Sequence, residues 1–427
     1  MVAKNNLKNL SFLVYGLGST GKSVVSFFKK EKIKKFKVWD DINKSLYKNN
    51  RTYNLSDTLK AVNYIILSPG ISLNNSNQKI KLQKFKKKII TDIDLFFLFY
   101  KKFESIVVTG TNGKSTTCKI IDHLLKKKYK TLIGGNIGTP ILKLKPKKNS
   151  FLVIEASSFQ LAHSKYINPK YAILLNITND HLDWHGNMKN YVDSKFKIFK
   201  LQKKNQFSII NKKLKKNFKK RNLFGRLIIP NINSYKKIKS KIKNKYLRSS
   251  INDENMSNVL ALSNLLKIKQ NFFINKINSF VGLPHRYEIF FKRKNITFIN
   301  DSKATSFQST KFALQNTKNI FWIVGGLPKK NDKIVLGNLK NNILKSYIIG
   351  KNIKFFKNNF GSKIQYYPAK NIRNSLNEIF KDIKLSNKKN YNVLLSPAAA
   401  SYDQFSNFEE RGNEFKRLSK YYARKYI

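Results

Sequence analysis

The sequence predicts an α/β protein of three domains, each built on a mostly parallel sheet. Apolar strands alternate with helical segments in β-α-β order, which is typical of parallel strand pairing. This pattern restarts at Ser105 and again after the Gly and Pro of VGLPHR. The chain has 427 residues, whereas single hydrophobic cores stop growing near roughly 250 to 300 residues. We therefore predict domains over residues 1–92, 93–283 and 284–427.

The first domain begins with a strand, a glycine turn and a helix in LSFLVYGLGSTGKSVVSFF, followed by the strands FKVWDD and NYIILSPG. Gly16, Gly18 and Gly21 form G-x-G-x-x-G, with Asp40 and Asp41 about 20 residues further on. Such glycines let a diphosphate approach the helix N-terminus, and an acid there can bind a ribose hydroxyl. The pattern favours a Rossmann-like domain for a nucleotide diphosphate. A nicotinamide cofactor and an ordinary tight turn remain alternatives.

The second domain repeats this order in SIVVTGTNGKSTTCKIIDHLL, and its glycine-containing turn indicates a P-loop ATPase domain. Backbone N–H groups at the helix start would cradle phosphates, Lys114 would neutralise their charge, and Ser115 would bind magnesium. Val108 stands where the general P-loop pattern has Gly, so the interpretation depends on the place of the turn between strand and helix. The candidate nucleotide-binding residues are Gly110, Thr111, Asn112, Gly113, Lys114, Ser115 and Thr116.

Acids and a histidine follow the next strands of this domain. Glu155 ends FLVIE, and Asp180, His181 and Asp183 follow YAILLNIT. Ligands gather at the carboxyl ends of parallel strands, so these side chains should face the same cleft as Lys114. Carboxylate and imidazole groups suit magnesium beside a nucleotide. Taken singly, His181 could be an ordinary loop histidine and Asp183 a helix cap.

The third domain contains the strands ITFIN, NIFWIVGG, SYIIG and NVLLS and ends in a basic helix, an order that again favours a Rossmann-like fold. Arg286 precedes the first of these strands, and Asp301 and Lys303 follow it. Arg and Lys side chains can clamp a transferring phosphate, while Asp301 can hold a ribose or a magnesium-bound water. Without this context, Arg286 would be an ordinary surface residue.

The net charge is the most unusual feature of the composition. Lys and Arg number 85 and Asp and Glu 23, which gives +62. A basic chain can bind nucleic acid, but only 10 of the basic residues are Arg, the side chain best suited to phosphate and base contacts. The abundant Lys, Asn, Ile, Phe and Tyr have A/T-rich codons, so we attribute the charge to genome composition and expect no specific nucleic-acid partner. Residues 200–248 contain no Asp or Glu and form either a solvated surface or a polyanion-binding face.

The sequence also indicates the cellular setting. Cys118 is the single cysteine, which excludes an intramolecular disulfide framework. No apolar run approaches the roughly 18 residues of a membrane span, and the N-terminus lacks a cleavage site for export. We therefore expect a soluble cytoplasmic protein, and we expect it to be a monomer.

Motifs from the P-loop to the C-terminus resemble those of the Mur ligases of peptidoglycan synthesis. They are GTNGKST, GGNIG, EASSFQL, NDHLDWHG, LPHRYE, NDSKAT and LLSPAAASYDQFSNFEERGNEF. The resemblance covers nearly the whole chain and is greatest to the members that join D-glutamate to UDP-N-acetylmuramoyl-L-alanine. It implies an amide ligase in which ATP phosphorylates the substrate carboxylate and the amine of D-glutamate then displaces phosphate from the acyl phosphate. It also implies that the glycine turn of the first domain receives a uridine diphosphate, with no nicotinamide.

The resemblance implies roles for individual residues. Lys114, Glu155, His181 and Lys195 would form the catalytic centre, with one Mg²⁺ on Ser115 and Glu155 and a second on His181 and Lys195. Lys195 matches a family lysine that is carbamylated. The other implied contacts are Asn255 and Asn258 at the adenine, Arg286, Asp301 and Lys303 at the phosphates and ribose, Ser19, Thr20, Asp40, Asp41, Asn136, Ser157 and His181 at the UDP-substrate, and Lys303, Thr305, Lys329, Ser401 and Phe408 at D-glutamate. Lys330 is an alternative to its neighbour Lys329.

Other functions remain as alternatives from the sequence. A sibling Mur ligase or a folylpolyglutamate-type ligase would add a different amino acid, and a basic nucleic-acid-binding NTPase would use the P-loop as a motor. The DHLD and SPAAASYDQF blocks favour the D-glutamate ligase, since a motor has no use for them.

Overall fold

The computed structural model describes residues 4–43, 45–74, 76–101, 103–329, 332–386 and 388–426. The chain divides into two compact units, Met1–Phe280 and Val281–Ile427. The described strands form three sheets, two in the first unit and one in the second. The α/β class with mostly parallel sheets is thereby confirmed, while the domain limits at residues 92 and 283 stay predictions.

The first sheet is parallel, with strand order β2-β1-β3-β4. Its strands are β1 (Phe12–Tyr15), β2 (Phe36–Trp39), β3 (Tyr64–Leu67) and β4 (Ile89–Ile90). The accompanying helices are α1 (Lys4–Asn9), α2 (Ser19–Lys30), α3 (Leu55–Ala61), α4 (Lys79–Lys84) and α5 (Asp92–Phe99). Phe12 and Val14 share an apolar cluster with α2, whereas Leu13 and Tyr15 share another with α3. The sheet is therefore covered on both faces, which explains why β1 is apolar throughout.

The second sheet is also parallel, with order β10-β9-β8-β5-β7-β6. Its strands are β5 (Glu104–Thr109), β6 (Thr131–Gly135), β7 (Phe151–Glu155), β8 (Tyr171–Leu174), β9 (Phe207–Ile210) and β10 (Arg226–Ile228). The accompanying helices are α6 (Lys114–Leu125), α7 (Ser158–His163), α8 (Leu182–His185), α9 (Met188–Phe196), α10 (Lys215–Lys219), α11 (Ile232–Lys239), α12 (Lys245–Arg248), α13 (Asp253–Leu265) and α14 (Gln270–Asn278). Because β5 lies between β7 and β8, the carboxyl ends of these three strands meet at one edge of the sheet.

The acid-free residues 200–248 contain the two outer strands β9 and β10 and helices α10 to α12. The sequence analysis placed no strand there, because strands of three or four residues among lysines show no clear hydrophobic period. Leu214 and Phe218 turn into the apolar core from this stretch, while Lys215, Lys216 and Lys219 are exposed.

The third sheet has order β11-β12-β16-β13-β14-β15 and is parallel except for β11, which pairs with β12 as an antiparallel hairpin. Its strands are β11 (Glu288–Arg293), β12 (Ile296–Asn300), β13 (Ile320–Gly325), β14 (Ile343–Ile349), β15 (Tyr366–Lys370) and β16 (Tyr391–Leu395). Its helices are α15 (Phe307–Asn316), α16 (Ile353–Phe360), α17 (Ile372–Lys384) and α18 (Phe408–Tyr426). Since β16 inserts between β12 and β13, the loops that follow these three strands lie side by side.

The remaining described helices are short. Segments of 3₁₀ helix cover Lys48–Asn50, Lys86–Lys88, Ile141–Lys143, Lys197–Phe199, Lys212–Leu214, Ser250–Asn252 and Gly337–Asn342. Across the described ranges, no helix has both the length and the apolar character to cross a membrane.

Candidate active site

The P-loop connects the carboxyl end of β5 to the start of α6. Gly113 has φ +84°, and a Cβ there would lie 2.4 Å from Oδ1 of Asn255 on α13. Only glycine fits this position, so the loop packs directly against Asn255. The Lys114 ammonium donates to the carbonyls of Gly110 at 2.9 Å and Thr111 at 2.8 Å. The lysine is thus folded back over the loop, where its charge is available to a phosphate group.

The loop is fixed on its other side by the segment after β8. Asn176 accepts a hydrogen bond from the backbone N–H of Asn112 at 2.9 Å. The hydroxyl of Thr111 accepts from the N–H of Thr178 at 3.0 Å and lies 2.9 Å from the Tyr191 hydroxyl on α9. These bonds place the Asp180–Asp183 segment beside the loop, as the sequence predicts. Asn176 escaped the sequence analysis, because a lone Asn after a strand carries no distinguishing signal.

Lys195 lies one turn after Tyr191 on α9 and is 1% exposed. Its Nζ donates to the carbonyl of Gly110 at 2.8 Å and lies 4.6 Å from the centre of the Tyr191 ring. Burial, together with the positive charge of Lys114, lowers the pKa of Lys195 to about 6. Two lysines therefore bind the same carbonyl of the P-loop, and the buried one is largely a neutral amine near pH 7.

Glu155 ends β7 and is 2% exposed. Its Oε1 accepts a hydrogen bond from Asn136 at 2.9 Å, whereas its buried Oε2 has no hydrogen-bond partner within the described part of the chain. A buried carboxylate oxygen without a donor is costly, and a cation would satisfy it. Ser115 is buried in the first turn of α6, which follows β5, the neighbour of β7 in the sheet. The Glu155 carboxylate and the Ser115 hydroxyl are oxygen ligands of the kind that Mg²⁺ prefers.

His181 and its neighbours form the other part of the predicted metal centre. His181 has φ +53° directly before α8, and its Nε2 lies 3.5 Å from Oδ2 of Asp180. Its ring packs on Phe159 at 4.7 Å. Burial, followed by the charges of His181 and Lys195, lowers the pKa of His185 to about 4, so both of these groups lie near His185. Among the described residues, no cluster of three or more His, Cys, Asp or Glu side chains is suited to a metal.

A cavity of 480 Å³ in the first unit joins the glycine turn to the end of β6 and to α7. It is lined by the predicted Ser19, Thr20, Asp40, Asp41 and Asn136, together with Asp92 and Gln160. The structure thus brings five of the predicted substrate residues to one surface. Ser157 contributes differently, since its hydroxyl caps α7 by accepting from the N–H of Gln160 at 3.2 Å.

The two acids after β2 have local partners as well. Asp40 accepts from the backbone N–H groups of Leu17, Ile42 and Asn43 at 2.5, 2.9 and 2.7 Å. Burial alone would raise the pKa of Asp40, but these donors lower it overall. Asp41 accepts from the Tyr15 hydroxyl at 2.8 Å and from the indole N–H of Trp39 at 2.9 Å. Asp40 therefore holds the glycine turn in shape in addition to lining the cavity.

The sequence analysis missed Asp92 and Gln160. The amide nitrogen of Gln160 donates to both carboxylate oxygens of Asp92, at 3.3 and 3.4 Å. Burial raises the pKa of Asp92 to about 6. An acid two residues after the strand Ile89–Ile90, in a chain with only 23 acids, was a signal that could have found Asp92.

Most predicted residues of the second unit lie at the carboxyl ends of its central strands. Asp301 accepts from the N–H of Tyr287 at 3.0 Å and from the Ser396 hydroxyl at 2.6 Å, and burial raises its pKa to about 7. Lys303 lies 4.6 Å above the ring of Phe408, which begins α18. In the same unit Ser401 is buried, Lys329 is exposed, and Arg286 and Thr305 are half-buried. Lys330 lies outside the described residues.

The two asparagines predicted at the adenine are neighbours on α13. Asn255 is buried against Gly113 of the P-loop. Asn258 is 1% exposed and donates to the carbonyl of Glu254 at 2.7 Å, while its buried Oδ1 has no hydrogen-bond partner among the described residues. Asn255 is therefore placed at the phosphate end of the predicted nucleotide site.

Comparison with known proteins gives concordant results. The profile of the Mur ligase middle domain matches residues 108–258. The chain is 35% identical to the UDP-N-acetylmuramoylalanine--D-glutamate ligase of Rickettsia felis, with 95% of this chain and 96% of the relative covered. It is 37% identical to the ligase of the same name from Buchnera aphidicola subsp. Schizaphis graminum, with 96% and 97% covered.

Solved structures show the same fold. A MurF ligase of Thermotoga maritima in complex with ADP is 16% identical, with a TM-score of 0.57 over 100% of this chain and 98% of that one. The UDP-N-acetylmuramate-alanine ligase MurC of the same organism is 18% identical, with a TM-score of 0.58 over 96% and 99%.

Proposed function

The chain belongs to the Mur ligase family, and from this premise we propose that it joins UDP-N-acetylmuramoyl-L-alanine to D-glutamate. It is an ATP-dependent, amide-forming ligase of peptidoglycan synthesis. The observation that carries this function is the 35% identity over nearly the full length to a ligase of that name. Neither the motor nor the sibling ligases are favoured, because relatives matched over nearly the full length bear the name of this one member, and the chain contains the SPAAASYDQF block.

The P-loop accounts for the first half of the reaction. The substrate carboxylate attacks the γ-phosphate of ATP, ADP leaves, and an acyl phosphate forms. The backbone N–H groups at the start of α6 and the Lys114 ammonium would hold the phosphates and stabilise the charge that shifts between them. Glu155 and Ser115 would hold one Mg²⁺ and His181 and Lys195 a second. Bound there, the metal supplies positive charge to the phosphate oxygens.

The second half of the reaction needs D-glutamate beside the acyl phosphate. Its amine attacks the acyl carbon, and a tetrahedral intermediate collapses to the amide with release of phosphate. We assign the two carboxylates of D-glutamate to Lys329 and Ser401, a cation for one and a hydroxyl for the other. Lys303, Thr305 and Phe408 complete this pocket. The UDP end of the other substrate would occupy the 480 Å³ cavity at Ser19, Thr20 and Asn136.

We also propose that Lys195 is carbamylated. Its neutral amine can add to CO₂, forming a C–N bond and releasing one proton, and the product carries a carboxylate in place of an ammonium. An ammonium would repel Mg²⁺, whereas a carbamate oxygen would bind it. The support for this proposal is the burial of Lys195 at the P-loop carbonyl of Gly110.

The function is tested by phosphate release with purified protein. We expect release only when ATP, UDP-N-acetylmuramoyl-L-alanine and D-glutamate are present together. If another amino acid in a panel supports faster turnover, the assignment of D-glutamate is wrong. We further propose that the protein acts in the cytoplasm, where these substrates are made available, and as a monomer, which sedimentation can check.

A further inference from the structure

Arg411 is the largest fully buried charged side chain of the described residues, and the sequence analysis did not identify it. It lies in the first turn of α18 and is 1% exposed. Arginine is almost never fully buried unless its donors are satisfied, so the surroundings of this guanidinium need an explanation.

The guanidinium contacts the loops that follow β12 and β16 and the last residue of β13. Its Nε donates to the Ser302 hydroxyl at 3.0 Å, and its Nη2 donates to the carbonyls of Ser302 at 2.8 Å and Ala399 at 3.0 Å. A longer contact of 3.5 Å joins Nη1 to the carbonyl of Gly325. The strand order β12-β16-β13 brings these three segments together. Arg411 connects them through hydrogen bonds from one planar group.

The acceptors are neutral oxygens. Within the described residues, no carboxylate accepts a hydrogen bond from Arg411, and the attraction of Asp403 only partly offsets the burial that lowers its pKa to about 10. A buried charge without an ionic partner is a poor way to gain stability, since apolar side chains of similar volume often serve as well. We therefore look for a functional role of the Arg411 side chain in addition to its contribution to stability.

Each atom that Arg411 binds lies close in the chain to a proposed D-glutamate contact. Ser302 precedes Lys303, Ala399 lies two residues before Ser401, and Gly325 ends β13 just before the loop to Lys329. The Ser302 hydroxyl, which accepts from Arg411, also donates to the carbonyl of Phe408 at 2.8 Å, and the ring of the same Phe408 contacts Lys303.

We propose that Arg411 is a positioning residue for D-glutamate, because its guanidinium sets the spacing of the three loops that bear Lys303, Lys329 and Ser401. This inference rests on the proposed function. Lysine cannot replace Arg411 fully, since a single ammonium lacks the planar set of N–H donors that binds two loops at once.

The test compares Arg411→Met and Arg411→Lys with a matched control, Leu418→Ala. Leu418 is 2% exposed, lies two turns further along the same face of α18, and packs in the core away from the three loops. We expect Arg411→Met to raise KM for D-glutamate about tenfold or more, with a smaller rise for Arg411→Lys. KM for UDP-N-acetylmuramoyl-L-alanine should stay near the wild-type value in all three variants, and KM for D-glutamate should stay there in Leu418→Ala.

A merely structural role predicts another result. Partial unfolding lowers kcat in proportion to the folded fraction and leaves the KM for D-glutamate unchanged. The proposal is overturned if Arg411→Met keeps the wild-type KM for D-glutamate, or if Leu418→Ala raises it as much. If circular dichroism shows that Arg411→Met does not fold, Arg411→Lys decides the question. An unchanged KM for D-glutamate in Arg411→Lys then overturns the proposal, and a raised KM supports it. Wild-type protein that shows no turnover with D-glutamate would refute the proposed function itself, which is a separate outcome.

Discussion

From the proposal that Lys195 is carbamylated, we expect its replacement by alanine to remove the carbamate and most of the activity. Burial lowers the pKa of Lys195 to about 6. At pH 7.5 a group with this pKa is about 97% neutral, whereas an ordinary lysine is about 0.1% neutral. The amine that reacts with CO₂ is thus roughly a thousandfold more abundant at Lys195 than at an exposed lysine. Below pH 6 the amine becomes protonated, so the carbamate and the activity should be lost together.

The assay is ¹³C NMR of the protein in ¹³C-labelled bicarbonate, with phosphate release measured in parallel. Wild-type protein should give a carbamate resonance that is absent from Lys195→Ala. Activity of that variant should fall by about a hundredfold or more and recover in part with added formate or acetate. Lys197→Ala is the matched control, since Lys197 is a half-buried lysine two residues further on that donates to the carbonyl of Ala162. A resonance that persists in Lys195→Ala, or unchanged activity of that variant, would refute the reasoning.

Three further predictions concern the same unit. Lys114→Ala should reduce turnover about a thousandfold or more with an unchanged circular dichroism spectrum, and retained activity would contradict the P-loop interpretation. Gly113→Ala should weaken ATP binding by about 1 to 2 kcal/mol in a nucleotide titration, because φ is +84° and the new Cβ would lie 2.4 Å from Asn255; wild-type affinity would speak against this geometry. Burial lowers the pKa of His163 to about 3, so the stability it contributes is complete above its ordinary pKa of about 6.5 and is lost as pH falls towards 3. Between pH 7 and 5 this loss amounts to about 2 kcal/mol, which urea unfolding should detect in wild type and find reduced in His163→Leu.

Much of the fold follows from local pattern. Strands such as FLVY and IFWIVG are short apolar runs followed by glycine turns, so their type and order could be predicted without the structure. The strands that escaped prediction are β4, β9, β10, β11 and β15, at or beside sheet edges, and β4 has only two residues. Edge strands are partly exposed and carry Lys and Tyr, so they lack the apolar signal of central strands.

Some residues of the candidate active site could be predicted from the sequence and others could not. The P-loop and the glycine turn are contiguous in sequence, and their backbone geometry follows from a few neighbouring residues. Glu155 and Asp301 were also accessible to prediction, because each follows an apolar strand in a chain with few acids. Lys195 could not be chosen from the many lysines by its own neighbours and was assigned by family resemblance alone.

The sequence by itself therefore determined the parallel α/β class, the position of the two glycine-containing turns and membership of the Mur ligases. Only the tertiary structure decided which charged groups are buried and what they contact. Arg411 and Lys195 look like ordinary basic residues in the chain, yet Arg411 contacts the segments at the ends of three strands and Lys195 is buried against the P-loop, where its pKa is lowered. The physical reason is that burial and strand order are set by contacts between residues far apart in sequence, and the pKa of a buried group depends on those contacts.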